Sequence, residues 1–403
     1  MLPKTPQANR FLIDVSTSMR WKGHNAVGIV RTEREIAKHF LEHVPGSCFF
    51  YYDREEKKFR LISNKAAAEL LFDSADHPKS VKINTDKVPD YPTFFRFTRT
   101  DVVISAGLLW DLDYMAALYK EKNRCGMYVA QVVYDIIPII MPEYCVPGMD
   151  LKFPKFILDA AWTCDAILSI SDSTQNDLVS YYRRIGLEAP AMKRMYLGTD
   201  ISETRSQPIN EDFGLEPGKF VLYVSTIEPR KNHQMLFNIW RELNDRSPDT
   251  LVPLVFVGGK GWNSENLMSF IQNCPDLYPK YLKIYNNISD SGLNWMYRNS
   301  IFTVYPSLYE GWGLPVTESL ARGKVCISSE TSSMPEAGSG FADLLHPLDY
   351  ISWRDRVAAY LSDDTLLLSR EAQIREGFEA LSWRECMSRF ADTVFATVAD
   401  RTH

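Results

Sequence analysis

Ser307-Leu-Tyr-Glu-Gly-Trp-Gly-Leu-Pro-Val-Thr-Glu-Ser-Leu320 decides how this 403-residue chain folds. It follows an apolar run, Ile301-Phe-Thr-Val-Tyr305, that reads as a strand, and it leads into a helix expected from Val316 to Arg322. The stretch between is therefore a tight turn and a helix start. Gly311 and Gly313 permit backbone paths closed to most residues, and Pro315 suits a first helical position because its missing N–H would be unpaired there anyway. The unpaired N–H groups of a helix start attract anions, phosphates above all. Glu310 is expected at the end of the strand and Glu318 on the first helical turn, both facing one pocket. Carboxylates beside an anion site are electrostatically unfavourable unless they accept hydrogen bonds from hydroxyls, and a sugar or a ribose supplies those. The pattern points to a sugar nucleotide.

Outward from this stretch, strand-like runs alternate with helical ones. In the second half the strands are expected near Phe220 to Ser225, Leu254 to Val257, Tyr281 to Tyr285, Ile301 to Tyr305, Val325 to Ser328 and Ala342 to Leu345. In the first half they are Asn9 to Val15, Asp101 to Ser105, Met127 to Tyr134 and Ala166 to Ile170, with helices at 28–40, 114–122, 152–161 and 173–184. Such alternation gives an α/β fold with parallel sheets covered on both faces and ligands at the carboxyl ends of the strands. Cys48 to Phe97 is hard to divide, and Ser16 to Gly28 reads as a polar loop with two glycines.

The two glutamates around Gly-Trp-Gly-Leu-Pro resemble the paired-glutamate motif of the retaining glycosyltransferases of family 4. The resemblance extends to Ser225-Thr-Ile-Glu-Pro-Arg-Lys-Asn232, Val257-Gly-Gly-Lys260 and Asn287-Ile-Ser-Asp290 ahead of Leu293-Asn-Trp-Met-Tyr297, in the family's order, with Ser332-Ser-Met-Pro-Glu336 further on and, more loosely, Leu197-Gly-Thr-Asp200. It implies the GT-B fold, with two Rossmann-like domains whose parallel sheets face a central cleft. Residues 1–205 would form the acceptor-side domain, residues 206–380 the nucleotide-sugar domain, and residues 381–403 a helix crossing back to the first domain. The linker is expected within Ile201 to Gly218.

Composition narrows the classes. At 403 residues the chain suits two domains of about 200, each with its own core. A net charge of −6 lacks the basic footprint of a nucleic-acid binder. No run approaches the roughly 20 apolar residues of a membrane span, and the first residues show no signal-peptide core, so a cytoplasmic enzyme, peripheral at the inner membrane face, is expected. The seven cysteines are scattered and never spaced as Cys-x-x-Cys, which suggests reduced core residues.

Breaking the bond between a sugar and its diphosphate leaves negative charge on the leaving group, and fixed cations stabilise it. Arg230 and Lys231, after the first strand of the second half, suit that role, because the guanidinium grips two oxygens and the ammonium acts as a point charge. By the resemblance, Glu310 meets the donor sugar near its 3-hydroxyl and Glu318 the ribose. Gly313 and Leu314 contribute backbone N–H groups within the turn that Gly311 opens. Ile288 would meet the nucleobase, or lie in the core, and Gly258 would allow close approach of the donor. Gly28 would belong to a loop over the donor phosphates facing the acceptor, or simply open a helix. Asp135 would orient a hydroxyl of donor or acceptor, or cap the turn that follows. Many relatives have histidine before that aspartate, whereas Tyr134 cannot become a cation at neutral pH. Ser171-Asp-Ser-Thr174 offers a helix cap, and Asp111-Leu-Asp113 mimics a metal-binding Asp-x-Asp where a helix begins.

The expectation is a retaining hexosyltransferase without metal or cofactor, its co-substrate a nucleotide sugar, first GDP-mannose and next a UDP-hexose. The acceptor would be a saccharide, a lipid-linked glycan in bacterial surface-polysaccharide synthesis, and other assembly enzymes are expected neighbours. The wording of the motifs resembles that of O-antigen and capsule mannosyltransferases. A sugar-nucleotide 2-epimerase and a non-catalytic sugar-nucleotide-binding subunit are the alternatives.

Overall fold

The computed structural model of the protein describes residues 10–23, 28–72, 92–200 and 212–400. The chain divides into two compact units, Met1–Leu197 with Trp383–His403, and Gly198–Ser382. The first boundary falls earlier than residue 205, and most of the expected linker lies outside the described residues. The backbone N–H and the hydroxyl of Thr199 both bond the Leu381 carbonyl, at 2.9 and 3.1 Å, which ties the start of the second unit to its end.

Among the described residues the first unit is built on eight strands: β1 (Arg10–Asp14), β2 (Ser47–Asp53), β3 (Lys58–Ile62), β4 (Thr93–Phe94), β5 (Asp101–Ser105), β6 (Tyr128–Val133), β7 (Ala166–Ser169) and β8 (Ala191–Arg194). Their order is β4-β3-β2-β1-β5-β6-β7-β8. Pairing is parallel from β2 through β8, while β3 and β4 are antiparallel and form one edge. The undivided region of the sequence thus contains a hairpin, Ser47–Asp53 with Lys58–Ile62, turned at a charged connector where Lys57 adopts φ 51°. All of β5 and β6 is buried, as strands covered on both faces require.

Ser16–Arg20 is a short helix rather than a loop. Asp14 accepts from the Ser16 N–H at 3.0 Å, and Glu33, on the helix Ile29–His43, accepts from the Ser18 N–H and hydroxyl, each at 2.6 Å. The terminal helix Trp383–Asp400 packs on this same unit: the Phe395 ring is 5.1 Å from Phe11, and Phe390 is 6.4 Å from Phe40.

Among the described residues the second unit has six strands, β9 (Val221–Val224), β10 (Leu254–Val257), β11 (Leu282–Tyr285), β12 (Thr303–Tyr305), β13 (Cys326–Ser329) and β14 (Asp343–Leu345), ordered β11-β10-β9-β12-β13-β14 and all parallel. Successive side chains of a strand point to opposite faces. Val221 and Tyr223 accordingly join one apolar core with Leu236 and Trp240 of the helix His233–Arg246, while Phe220 and Leu222 join another with Met296 and Tyr297 of the helix Asp290–Asn299.

Candidate active site

From β9 the chain steps toward one edge of the sheet, through β10 and β11, and from β12 toward the other, through β13 and β14. The connections leaving the carboxyl ends of these adjacent strands run toward opposite edges of the sheet, and such a switch point is where open α/β sheets hold ligands. Arg230 and Lys231 stand on the β9 loop, on a 3-10 turn Pro229–Lys231 several residues beyond the strand. Glu310 stands on the β12 loop, past the strand end where the sequence placed it. The Leu308 N–H bonds the Arg230 carbonyl at 2.9 Å and holds the two loops together.

Their side chains meet. Lys231 Nζ is 2.5 Å from Glu310 Oε1, and Arg230 Nη1 is 3.1 Å from Glu310 Oε2. Ser307 donates its hydroxyl to Oε1 at 2.5 Å and Tyr305 donates at 3.1 Å. Arg230 also donates to Glu228 Oε1 at 2.7 Å and to the Tyr309 carbonyl at 2.5 Å. Burial by itself would raise the Glu310 pKa, but Lys231, Arg230 and the Ser307 hydroxyl outweigh it and bring it down to about 2. Burial and the neighbouring Arg230 lower the Lys231 pKa, against the pull of Glu310 and Glu228. Packed apolar side chains would serve stability as well as a buried ion cluster does, so the fold alone does not call for these charges. Beneath them the His233 ring lies 4.5 Å from Tyr223 and 4.8 Å from Phe256. Burial, then Lys231, holds its pKa down at about 3, so it adds no charge to the cluster.

The helix beyond the turn is Leu314–Leu320, two residues earlier than expected, with Gly313 as its N-cap at φ 117°, a conformation that favours glycine. Leu314 opens the helix and Pro315 comes second, so the backbone hydrogens at this end lie ahead of the helix's own bonds. Glu318 is on the second turn rather than the first. It is buried and accepts from the Tyr297 hydroxyl at 2.9 Å, so the two glutamates have separate partners. Gly311 lies in the turn between Glu310 and Gly313.

Of the remaining candidates in this unit, Gly258 follows β10, and a Cβ there would lie 2.0 Å from the Ser225 carbonyl oxygen. Its lack of a side chain is taken up by the chain's own backbone, whereas a Cβ on Gly259 would meet nothing. Ile288 is half-buried against the Phe220–Met296 cluster. Gly28 and Asp135 belong to the first unit. Gly28 caps the helix Ile29–His43 at φ 53°. Asp135 follows β6 and accepts from the Ile137 N–H at 2.9 Å, the capping bond, while lining a small pocket with Gly107, Trp110 and Tyr134. The Tyr134 hydroxyl turns inward and donates to the Ala106 carbonyl at 2.6 Å. Ser171 caps its helix, accepting from the Thr174 N–H at 2.9 Å. Asp111 and Asp113 pair with Lys152 and Lys57, at 3.8 and 3.4 Å, and among the described residues no cluster of three metal-ligating side chains occurs.

Several supporting residues escaped the sequence reading: Tyr305 and Ser307 on Glu310, Tyr297 on Glu318, and the serines at 332 and 333. Ser332 accepts from the Glu310 N–H at 2.9 Å, and Ser333 donates to the carbonyls of Glu310 and Trp312 at 2.9 and 2.7 Å. The Ser332-Ser-Met-Pro-Glu336 stretch was the available signal, since it belongs to the same family resemblance as Glu310 and Glu318.

Residues 206–377 match the family described as glycosyl transferases group 1. The serotype-specific mannosyltransferase WbdA of Escherichia coli is 25% identical over 338 residues, covering 77% of this chain and 36% of that protein. The O-antigen chain mannosyltransferase B of Escherichia coli is 24% identical over 260 residues, covering 64% of this chain and 67% of its own. The chain thus spans about a third of the length of WbdA. Among solved structures, Anabaena Alr3699/HepE in complex with UDP and glucose superposes with a TM-score of 0.66 at 12% identity, covering 96% of this chain and 99% of that one. The fold is GT-B.

Proposed function

We infer that this chain, whose residues 206–377 are a glycosyl transferases group 1 domain, moves a hexose from a nucleoside diphosphate donor to a saccharide acceptor with retention and without a metal. One observation carries the reading: two cations, Arg230 and Lys231, and two carboxylates, Glu310 and Glu228, gathered between the β9 and β12 loops. Arg230 and Lys231 would neutralise the departing diphosphate, the N–H groups at Gly313 and Leu314 would face it, and Glu310 and Glu318 would accept from sugar and ribose hydroxyls. The charge of the diphosphate is read as met by the Arg230 and Lys231 side chains rather than by a metal. Front-side attack suits this arrangement, the departing phosphate oxygen taking the acceptor's proton as the new glycosidic bond forms on the same face.

GDP-mannose is the first donor, because the relatives matched over most of this chain are called mannosyltransferases, and a UDP-hexose is second. The acceptor is a growing surface glycan, lipid-linked at the cytoplasmic membrane face; no helix of the described residues is long and apolar enough to cross a membrane. Incubating the protein with GDP-mannose or UDP-glucose and a lipid-linked saccharide, and resolving the product's anomeric configuration, tests the reading. An elongated α-linked glycan supports it. A donor epimerised without acceptor would instead identify an epimerase, and donor bound but unchanged would identify a binding subunit.

A further inference from the structure

Glu310 engages both cations assigned to the diphosphate, which sets up a competition. Arg230 Nη1 lies 3.1 Å from Oε2 and Lys231 Nζ 2.5 Å from Oε1, so a diphosphate draws on these cations against this carboxylate. Beside Glu310, Arg230 has Glu228 and the Tyr309 carbonyl as acceptors, and Lys231 has the Tyr305 hydroxyl at 3.5 Å. Glu310 Oε1 for its part stays anchored by Ser307 at 2.5 Å and Tyr305 at 3.1 Å. Oε2, however, surrenders its guanidinium. A buried charged acceptor left without a donor is costly, because it has given up water and gained no partner in return. The sugar of an intact donor brings a hydroxyl to fill that place; a spent nucleoside diphosphate brings none.

We propose that Glu310 is an exchangeable counter-ion that makes the site favour the intact nucleotide sugar over the spent nucleoside diphosphate, and so promotes product release. The proposal rests on the donor reading above and adds regulation of the same site. Its signature is a change of sign. Removing the carboxylate frees the cations for any diphosphate, so binding of the spent product strengthens where loss of an ordinary contact would weaken it.

The test titrates GDP, UDP, GDP-mannose and UDP-glucose into the wild type, Glu310→Gln and Glu310→Ala, with guanosine and uridine as phosphate-free controls. Whichever diphosphate the wild type binds should bind Glu310→Gln and Glu310→Ala about tenfold tighter, equivalent to about 1.4 kcal/mol. The matching nucleotide sugar should gain less, so the preference for it narrows or reverses, and the nucleoside should not change. Ser307→Ala keeps the charges but removes from Glu310 an anchor that touches neither cationic head, so it should weaken diphosphate binding, the opposite sign. It serves equally where thermal melting shows the Glu310 variants unfolded. Diphosphate affinity unchanged or weaker in folded Glu310 variants, or tighter in Ser307→Ala, overturns the counter-ion role and leaves the donor reading standing. A wild type that binds neither GDP nor UDP overturns both.

Discussion

The Tyr297 hydroxyl donates to Glu318 Oε2 across 2.9 Å, with both side chains buried, and so joins the helix Asp290–Asn299 to the helix that starts at Leu314. Tyr297→Phe leaves that carboxylate oxygen with one donor fewer. The variant should be less stable by about 1–3 kcal/mol and bind nucleotide more weakly, because the acid offered to the ribose loses its orientation. Denaturant unfolding and nucleotide titration check the two parts separately, and an unchanged midpoint would remove the bond from the account of stability.

Arg230 serves three acceptors at once, Glu228, the Tyr309 carbonyl and Glu310. Arg230→Ala should lower the transfer rate by about 100- to 1,000-fold, the range for losing one preorganised charge-stabilising donor. Arg230→Lys should recover little of it, since an ammonium cannot span the three directions of the planar guanidinium. Initial rates at saturating donor measure this; a lysine variant of wild-type rate would show that charge without geometry suffices.

Stability should depend on Glu310 at acidic pH. Its carboxyl titrates at about 2 in the folded protein, below the ordinary 4.5, so the unfolded chain binds the proton more tightly. The contribution is therefore complete above about pH 4.5 and is lost as pH falls toward 2. A depression of this size corresponds to about 3 kcal/mol. Denaturant unfolding of wild type and Glu310→Gln between about pH 6 and pH 3 should show the wild type losing more stability than the variant. Parallel curves would mean the carboxyl is not held by the cations.

Gly258→Ala should destabilise the second unit by about 1–3 kcal/mol, the usual cost of overpacking, because the new methyl would meet the Ser225 carbonyl at 2.0 Å with only backbone there to yield. Gly259→Ala, where a Cβ meets nothing, is the control and should change the melting temperature little. Equal effects of the two would contradict the close approach of the β9 and β10 loops.

The strands of the second unit were legible because runs such as Val221–Val224 and Leu254–Val257 are continuously apolar, as strands covered on both faces must be. The hairpin Ser47–Asp53 with Lys58–Ile62 was not, because its turn carries charged residues without an Asn-Gly or Asp-Gly signal. β8 was missed because Ala191–Arg194 is half polar and sits at a sheet edge. The helix Ser16–Arg20 depends on Glu33, an acceptor far along the chain, which local periodicity cannot reveal. At the site, Arg230, Lys231 and Glu310 could be picked out by residue type and motif, but their contact could not. It follows from β9 and β12 being neighbours, and strand order is set by pairing between distant segments. The hydroxyls that hold Glu310 and Glu318 carry no spacing of their own, so only the fold shows them.

Calorimetric titration of GDP and UDP into the wild type and Arg230→Ala addresses the diphosphate site itself. One of the two nucleotides should bind the wild type and lose at least about tenfold in affinity when the guanidinium is removed, in keeping with a charged hydrogen bond worth about 1.5–3 kcal/mol. Binding of equal strength in both proteins, or of neither nucleotide to the wild type, would contradict the assignment of Arg230 to the leaving group.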